Sequence, residues 1–206
     1  MRMRIGCLAW GSLVWDPRTL PVAGPFRLEG PDLPIEFSRV SLDGRVTLVL
    51  DPGAPKVPTY CVPLDVGGLD EAIEALGERE RIPGEARARH VGALTGSGEA
   101  RELRGETPEE IVAAIAGWLD ARPLDAVLWT ALPTRGPDGE AVRPSFERLL
   151  AHLERLEGTA RARAEEYIRR TPGPVRTPHR ARFEAALARL VGLAGGDLEG
   201  RPEGGS

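Results

Sequence analysis

The sequence has very little lysine. Lys56 is the only lysine among 27 basic residues, so arginine carries nearly all of the positive charge. The arginines are scattered along the chain, and acidic residues outnumber basic ones to give a net charge of −4. Because binding to nucleic acid depends on concentrated positive charge, we expect no nucleic-acid partner. The arginine excess is interpreted as a bias of composition.

Long apolar runs are also missing. No stretch approaches the roughly 18–20 consecutive apolar residues that a membrane span requires. Arg2 and Arg4 make the N-terminus basic, but the apolar run after them is broken at Trp10-Gly11-Ser12, so no signal peptide is predicted. The sequence therefore predicts a cytoplasmic protein without a membrane partner.

Cysteine and histidine are scarce. In the absence of an export signal, Cys7 and Cys61 are predicted to be small buried side chains rather than a disulfide. His90, His152 and His179 lie far apart and share no spacing typical of metal ligands. Neither Gly-rich nucleotide fingerprint is present. We therefore expect no metal and no cofactor.

The remaining composition is typical of a globular protein, with 41% apolar and 28% charged residues. A chain of 206 residues is long enough for one buried core. We expect a single domain over residues 1–194, followed by a disordered Gly-rich tail over residues 195–206. The oligomeric state is open, and a homodimer is one of the alternatives.

Strand patterns come first along the chain, and helix patterns follow. Strands are predicted over residues 4–9, 35–40, 45–50, 59–62 and 124–131. Helices are predicted over residues 68–80, 107–120, 145–156, 160–170 and 177–193. Asp43-Gly44 is typical of a hairpin turn, and Pro58 and Pro63 place the strand between them at a sheet edge or a strand end. This order predicts a mixed α+β fold with an antiparallel or barrel-like sheet.

Two further segments carry local signals. Thr107, Pro108 and Glu110 match a capping box at the start of the second helix. Residues 134–143 contain two glycines and a proline, and they predict a loop that is long enough to cover a site.

The first candidate for a functional site is Trp10-Gly11-Ser12-Leu13, directly after the first strand. A glycine there lets backbone N–H groups approach a ligand closely, and successive free N–H groups form an anion-binding nest. Such a turn suits a carboxylate. Taken alone, these four residues also fit a plain strand-ending turn with Trp10 and Trp15 in the core.

The second candidate is Glu80. The apolar residues of the predicted helix over 68–80 follow one face, and Glu80 falls on that face four residues after Leu76. Glu78 and Arg79 are expected to point elsewhere. Burial of a carboxylate raises its pKa toward neutrality, which suits a group that transfers protons. The alternative is a frayed helix end with a solvated carboxylate.

Three segments of residues 4–82 match the motifs of a known family in order and spacing. Residues 10–17 look like the signature YGSL(I/M)W-x-P, with Trp10 in the place of the tyrosine. Residues 76–80 resemble an L-x-x-R-E segment, and residues 37–45 are similar to a strand pair of the same family. The family's usual Gly-Tyr after the glutamate is not present. The chain thus resembles the gamma-glutamylcyclotransferase-like proteins, nearest to the ChaC-like, glutathione-degrading branch.

This resemblance implies a small antiparallel or mixed β-barrel flanked by helices. It also implies an enzyme that cleaves a γ-glutamyl amide through attack of the substrate's own α-amine, which releases 5-oxoproline. Glu80 would be the catalytic acid and base, and the backbone of Trp10, Gly11, Ser12 and Leu13 would hold the substrate. No metal or cofactor is implied. The substrate is open among a γ-glutamyl amine, a γ-glutamyl amino acid and a short peptide such as glutathione.

Two alternatives belong to other functional classes. The first is a non-catalytic small-molecule-binding or regulatory protein that retains the cyclotransferase pocket. Trp10 favours it because a bulky indole can fill part of the pocket, whereas Glu80 favours catalysis. The second is a scaffold whose acidic surface binds a partner.

Overall fold

The computed structural model describes residues 2–96 and 105–196, with side chains as far as Arg189. These residues form a mixed α+β structure with two sheets and six helices, which confirms the predicted fold class at that level. The strands are β1 (Ile5–Ala9), β2 (Leu33–Val40), β3 (Val46–Leu50), β4 (Lys56–Val57), β5 (Tyr60–Pro63), β6 (Val91–Thr95) and β7 (Ala126–Thr130). The helices are α1 (Leu69–Glu80), α2 (Arg87–His90), α3 (Glu109–Asp120), α4 (Phe146–Arg155), α5 (Gly158–Arg170) and α6 (Pro178–Gly196).

The strands pair as two sheets. The larger has the order β5-β1-β7-β6, in which β1 runs antiparallel to β5 and parallel to β7. The smaller has the order β3-β2-β4 and is antiparallel. The β2–β3 hairpin is confirmed, and Gly44 in its turn has a φ of 81°, which favours glycine. The predicted edge position of β5 is also confirmed.

β1 lies between two apolar cores. Ile5, Cys7 and Ala9 face the core beneath α1, whereas Leu8 and the following Trp10 face the core formed with α3–α6. This alternation follows from the two-residue period of a strand. All five residues of β1 are buried, so the end of this strand is a rigid place from which to build a site.

The two cysteines are free, as predicted. Cys7 is fully buried and Cys61 is half-buried on the neighbouring strand β5. Burial raises the pKa of the Cys7 thiol well above its ordinary value and that of Cys61 to about 11. Neither thiol is therefore activated as a nucleophile.

The predicted capping box at α3 is wrong. The helix begins at Glu109, and Pro108 occupies the capping position without a side-chain hydrogen bond. The Thr107 hydroxyl instead accepts a hydrogen bond from the indole N–H of Trp129, at 2.9 Å. A tertiary contact thus takes the group that the local pattern assigned to the helix. The strands β4 and β6 and the short helix α2 were not predicted from the sequence.

The C-terminal boundary can be compared only in part. α6 continues to Gly196, past the predicted end of the domain at residue 194. The remainder of the predicted tail, residues 197–206, lies outside the described residues. Within the described ranges, no helix has the length and apolar character needed to cross a bilayer.

Replacing Arg81 by glycine is expected to stabilise the protein. Arg81 ends α1 with a φ of 56°, in the left-handed region that disfavours residues with a Cβ atom. We expect Arg81→Gly to raise the free energy of unfolding by about 0.5 kcal/mol, since relief of this strain exceeds the entropic cost of glycine. Urea unfolding measures the change. Arg81→Ala, which keeps the strain, is the matched control, and an equal rise for both variants would contradict the explanation.

Candidate active site

Glu80 is the last residue of α1, and the helix does not fray there. The backbone N–H of Arg81 donates to Glu78 at 3.0 Å, and that of the buried Ile82 donates to Gly77 at 2.8 Å. The Glu80 side chain is only 18% exposed. A carboxylate at the C-terminus of a helix is disfavoured by the helix dipole. Residues that conflict with their local setting in this way often mark functional positions.

Arg79 holds the Glu80 carboxylate. Its side chain is 2% exposed, and its Nη1 lies 2.6 Å from Glu80 Oε1. Its Nη2 donates to the Ser12 hydroxyl at 3.3 Å and to the Asp16 carbonyl at 2.5 Å. The prediction that Arg79 points away from the buried face is wrong, because Arg79 follows the buried Ala72 by two helical turns. One guanidinium thus connects the helix end to the turn after β1.

Residues 10–13, here called the β1 turn, leave the end of β1 and enter a short 3-10 helix, Ser12–Val14. The Trp10 indole is buried in the core and donates to the Leu48 carbonyl at 3.4 Å. Trp10 can therefore meet a ligand only through its backbone. In the described part of the chain, the N–H groups of Gly11, Ser12 and Leu13 donate to no backbone carbonyl. The Ser12 backbone contacts the Tyr167 hydroxyl oxygen, so the N–H groups of Gly11 and Leu13 remain as donors suited to an anionic group.

Tyr167 of α5 also belongs to the site, although sequence reasoning missed it. Its hydroxyl oxygen accepts a hydrogen bond from the Leu48 N–H at 3.3 Å. A methyl group added to Gly11 would overlap this oxygen, so glycine is required for the close approach. Burial raises the pKa of Tyr167 to about 12, and the nearby Glu80 charge contributes, against the opposing effect of the Leu48 and Ser12 backbone. The hydroxyl therefore stays protonated at neutral pH.

A cleft of about 210 Å³ opens between the β1 turn, the β2–β3 hairpin and α5. Its wall consists of Ser12, Trp15, Asp16, Arg45, Arg163, Glu166, Tyr167 and Arg170. Glu80 is not part of this wall, and Arg79 connects it to Ser12, which is. Two residues of the wall, Ser12 and Asp16, accept hydrogen bonds from the Arg79 side chain that pairs with Glu80.

The cleft wall carries more positive than negative charge, with three arginines and two carboxylates. Arg170 pairs with Glu166 at 3.1 Å, and Arg45 pairs with Asp43 outside the wall at 2.9 Å. Arg163 is exposed and has no ion-pair partner among residues 2–96 and 105–189. As far as the described residues show, Arg163 is thus the cleft arginine that can bind an anionic group of a ligand.

The other sequence candidates lie elsewhere. His152 contacts the Gly44 carbonyl at 2.8 Å and His179 contacts the Phe37 carbonyl at 3.0 Å, so neither belongs to the cleft. The predicted covering loop, residues 134–143, runs along β2, where Arg135 accepts from the Val40 N–H at 2.8 Å. Across the described ranges, no cluster of three or more His, Cys, Asp or Glu side chains could hold a metal ion.

The site therefore joins a carboxylate, a buried guanidinium, a turn with free N–H donors and a protonated phenol at the end of β1. Comparison with protein-family models, with curated proteins and with solved structures finds no match to this chain.

Proposed function

We propose that the protein is a gamma-glutamylcyclotransferase-like enzyme that cleaves a γ-glutamyl amide and releases 5-oxoproline. The observation that carries the proposal is the bridge from Glu80 through Arg79 to Ser12, which puts the carboxylate and the donor turn within reach of one side chain. The motif resemblance of residues 4–82 supports it. The barrel-like family fold and the cytoplasmic location are parts of the same proposal.

The proposed reaction requires few catalytic groups from the protein, because the nucleophile is the substrate's own α-amine. The α-amine attacks the γ-carbonyl carbon, and Glu80 accepts the proton that the nitrogen loses. When the tetrahedral intermediate collapses, the original C–N bond breaks and Glu80 returns a proton to the leaving nitrogen. The products are 5-oxoproline and a free amine, and neither water nor a cofactor is consumed.

The β1 turn and Arg79 position the reactants in this scheme. The free N–H groups of Gly11 and Leu13 donate to the α-carboxylate of the glutamyl group. Arg79 fixes the Glu80 side chain by a charge-assisted hydrogen bond and holds the turn through Ser12 and the Asp16 carbonyl. The carboxylate is thereby connected to the turn through one side chain.

The charge of the cleft distinguishes among the substrates left open by the sequence. Three arginines against two carboxylates favour a leaving group that carries a carboxylate, such as an amino acid or a short peptide. A cationic polyamine would meet like charge there. We therefore propose a γ-glutamyl amino acid or peptide as the substrate.

Arg163→Gln is expected to weaken binding of such substrates only. Because the side chain is exposed and the interaction is screened by solvent, we expect KM to rise by about threefold. KM for a γ-glutamyl alkylamine, which lacks the second carboxylate, should not change. Arg169→Gln is the matched control, since Arg169 lies on the same helix but outside the cleft wall. An equal rise in KM for both substrate types would contradict a role in binding the carboxylate.

The non-catalytic alternative has lost its specific support. It depended on the Trp10 indole filling part of the pocket, whereas the indole is buried in the core and does not line the cleft. No second function is proposed.

A panel assay tests the proposal. Purified protein is incubated with γ-glutamyl amino acids, γ-glutamyl alkylamines and glutathione, and 5-oxoproline and the released amine are measured together. We expect equimolar amounts of both products, since the reaction transfers the acyl group to the substrate's own nitrogen. If no substrate gives 5-oxoproline above the level of a Glu80→Gln protein, the proposed function is wrong.

A further inference from the structure

The hydroxyl of Tyr167 is surrounded by donors. The Leu48 N–H donates to its oxygen at 3.3 Å, and the Ser12 backbone acts on the same oxygen from the β1 turn. A phenolic oxygen can accept hydrogen bonds and can donate only one. In the described ranges, no acceptor receives the proton of this hydroxyl. The O–H group is therefore a buried donor that is available to a ligand.

The ring of Tyr167 is held in place from several sides. Trp15 and Phe37 pack against it edge-on, with ring centroids 5.4 and 6.2 Å away. The Arg45 guanidinium lies 5.6 Å from the ring centroid. A donor fixed by packing in this way costs little reorganisation when charge develops beside it.

We propose that Tyr167 is a catalytic residue, whose O–H donates a hydrogen bond to the γ-carbonyl oxygen of the substrate as that oxygen becomes negative. This inference rests on the proposed cyclotransferase function. As the α-amine forms its bond to the γ-carbon, the carbonyl π electrons move to oxygen, and the phenol stabilises the resulting oxyanion without giving up its proton. When the carbonyl re-forms, the bond to the leaving amine breaks and the hydrogen bond weakens again.

The position of the Tyr167 hydroxyl at the same turn as Glu80 favours the γ-carbonyl oxygen, rather than the α-carboxylate, as its hydrogen-bond acceptor in the substrate. Glu80 must reach the two nitrogens that are bonded to the γ-carbon, so a donor next to Glu80 lies near the third polar atom on that carbon. Arg79 links Glu80 to Ser12, and the Tyr167 hydroxyl lies against Gly11 of the same turn, so both groups adjoin the β1 turn. The N–H groups of Gly11 and Leu13 then serve the α-carboxylate. Each polar group of the glutamyl end thereby has its own partner.

Tyr167→Phe removes the hydroxyl and keeps the ring. Loss of one oxyanion donor typically lowers kcat by about 100-fold or more, so we expect a fall of about that size with KM within about threefold of the unaltered protein. Tyr60→Phe, which changes the only other tyrosine, is the matched control and should retain full kcat. A purely structural role for Tyr167 would lower the melting temperature and the folded fraction, so kcat is normalised to the folded fraction measured by circular dichroism, and a structural role would leave this normalised kcat unchanged.

A second measurement does not depend on the folding of the Tyr167→Phe protein. In a Tyr60→Phe protein grown with 3-fluorotyrosine, Tyr167 is the single fluorinated position, and its ¹⁹F NMR signal reports on the phenol. We expect 5-oxoproline to shift this signal in a saturable way. Proline, which lacks the ring carbonyl, should not produce the same shift.

The outcomes separate the two proposals. If the unaltered protein releases 5-oxoproline but Tyr167→Phe retains kcat within about threefold, the role of Tyr167 is wrong and the cyclotransferase function stands. If Tyr167→Phe does not fold, an equal ¹⁹F shift with proline and 5-oxoproline overturns the inference, and a shift confined to 5-oxoproline supports it. If the unaltered protein releases no 5-oxoproline, both proposals fail.

Discussion

Glu80→Gln is expected to lower kcat/KM for 5-oxoproline release by at least about 1000-fold, because one carboxylate performs both proton transfers of the proposed reaction. Glutamine has nearly the same shape and can still accept the hydrogen bond from Arg79, but it cannot accept and return a proton. The substrate still binds through the β1 turn and the cleft arginines. The loss should therefore appear mainly in kcat, with a small change in KM.

Glu78→Gln is the matched control for this experiment. Glu78 lies on the same helical turn of α1 but is exposed to solvent, and its substitution should leave kcat unchanged. Because Glu80→Gln also leaves the buried Arg79 without a charged partner, both proteins should be assayed well below the lower melting temperature. Retention of more than about a tenth of the activity by Glu80→Gln would contradict the acid–base role.

Segments with purely local signals could be predicted from the sequence. The β2–β3 hairpin follows from two alternating strands and the Asp43-Gly44 turn, and its pairing joins strands that are adjacent in the chain. The end of α1 at Glu80 is also local, because Arg81 closes the helix through its own backbone. The boundaries of these elements were close to those in the structure for this reason.

Local sequence signals could not predict the strand β6. Its five residues form a short apolar run without strict alternation, and such a run fits a buried strand or a piece of helix equally well. Its pairing with β7 decides between them, and β7 lies more than thirty residues later in the chain. Only tertiary structure supplies that information.

The candidate site was predicted in two halves whose connection was not visible. Helical periodicity put Glu80 on the buried face, and the family motif indicated the β1 turn. The spacing of Arg79 to Ala72 is consistent with a place on the buried face of α1. The charge of the arginine side chain, however, argued against its burial. Tyr167 carried no such signal, since it is 119 residues from its backbone partner Leu48 and resembles any core-facing tyrosine of an amphipathic helix.

Among single substitutions in the site, Arg79→Met is expected to cause the largest loss of stability. The substitution keeps an unbranched apolar stem but removes the hydrogen bonds to Ser12 and to the Asp16 carbonyl, and it leaves the Glu80 carboxylate unpaired. Removal of one partner of a buried ion pair costs about 3–5 kcal/mol, and the partial exposure of Glu80 reduces this to about 2–3 kcal/mol. Urea unfolding measures the difference.

The same change is expected to lower kcat/KM by about 100-fold, since displacement of a catalytic group by an ångström has an effect of that size. Arg87→Met is the matched control. Arg87 also pairs with a carboxylate of α1, that of Glu74, but lies outside the site. It should lose some stability and retain its activity. If Arg79→Met remains as active as Arg87→Met, Arg79 does not position Glu80.

The double variant Arg79→Met/Glu80→Gln distinguishes an ion pair from independent contributions. Arg79→Met leaves Glu80 as an unpaired charge, and Glu80→Gln leaves Arg79 unpaired, whereas the double variant has neither charge. We therefore expect the double variant to be more stable than the sum of the single losses by at least about 1 kcal/mol. Activity should behave differently, because Glu80→Gln alone already removes the proton transfer, and the second substitution then has little left to disturb. Strict additivity in both stability and activity would mean that the two side chains act separately, and the bridge between α1 and the β1 turn would no longer explain the site.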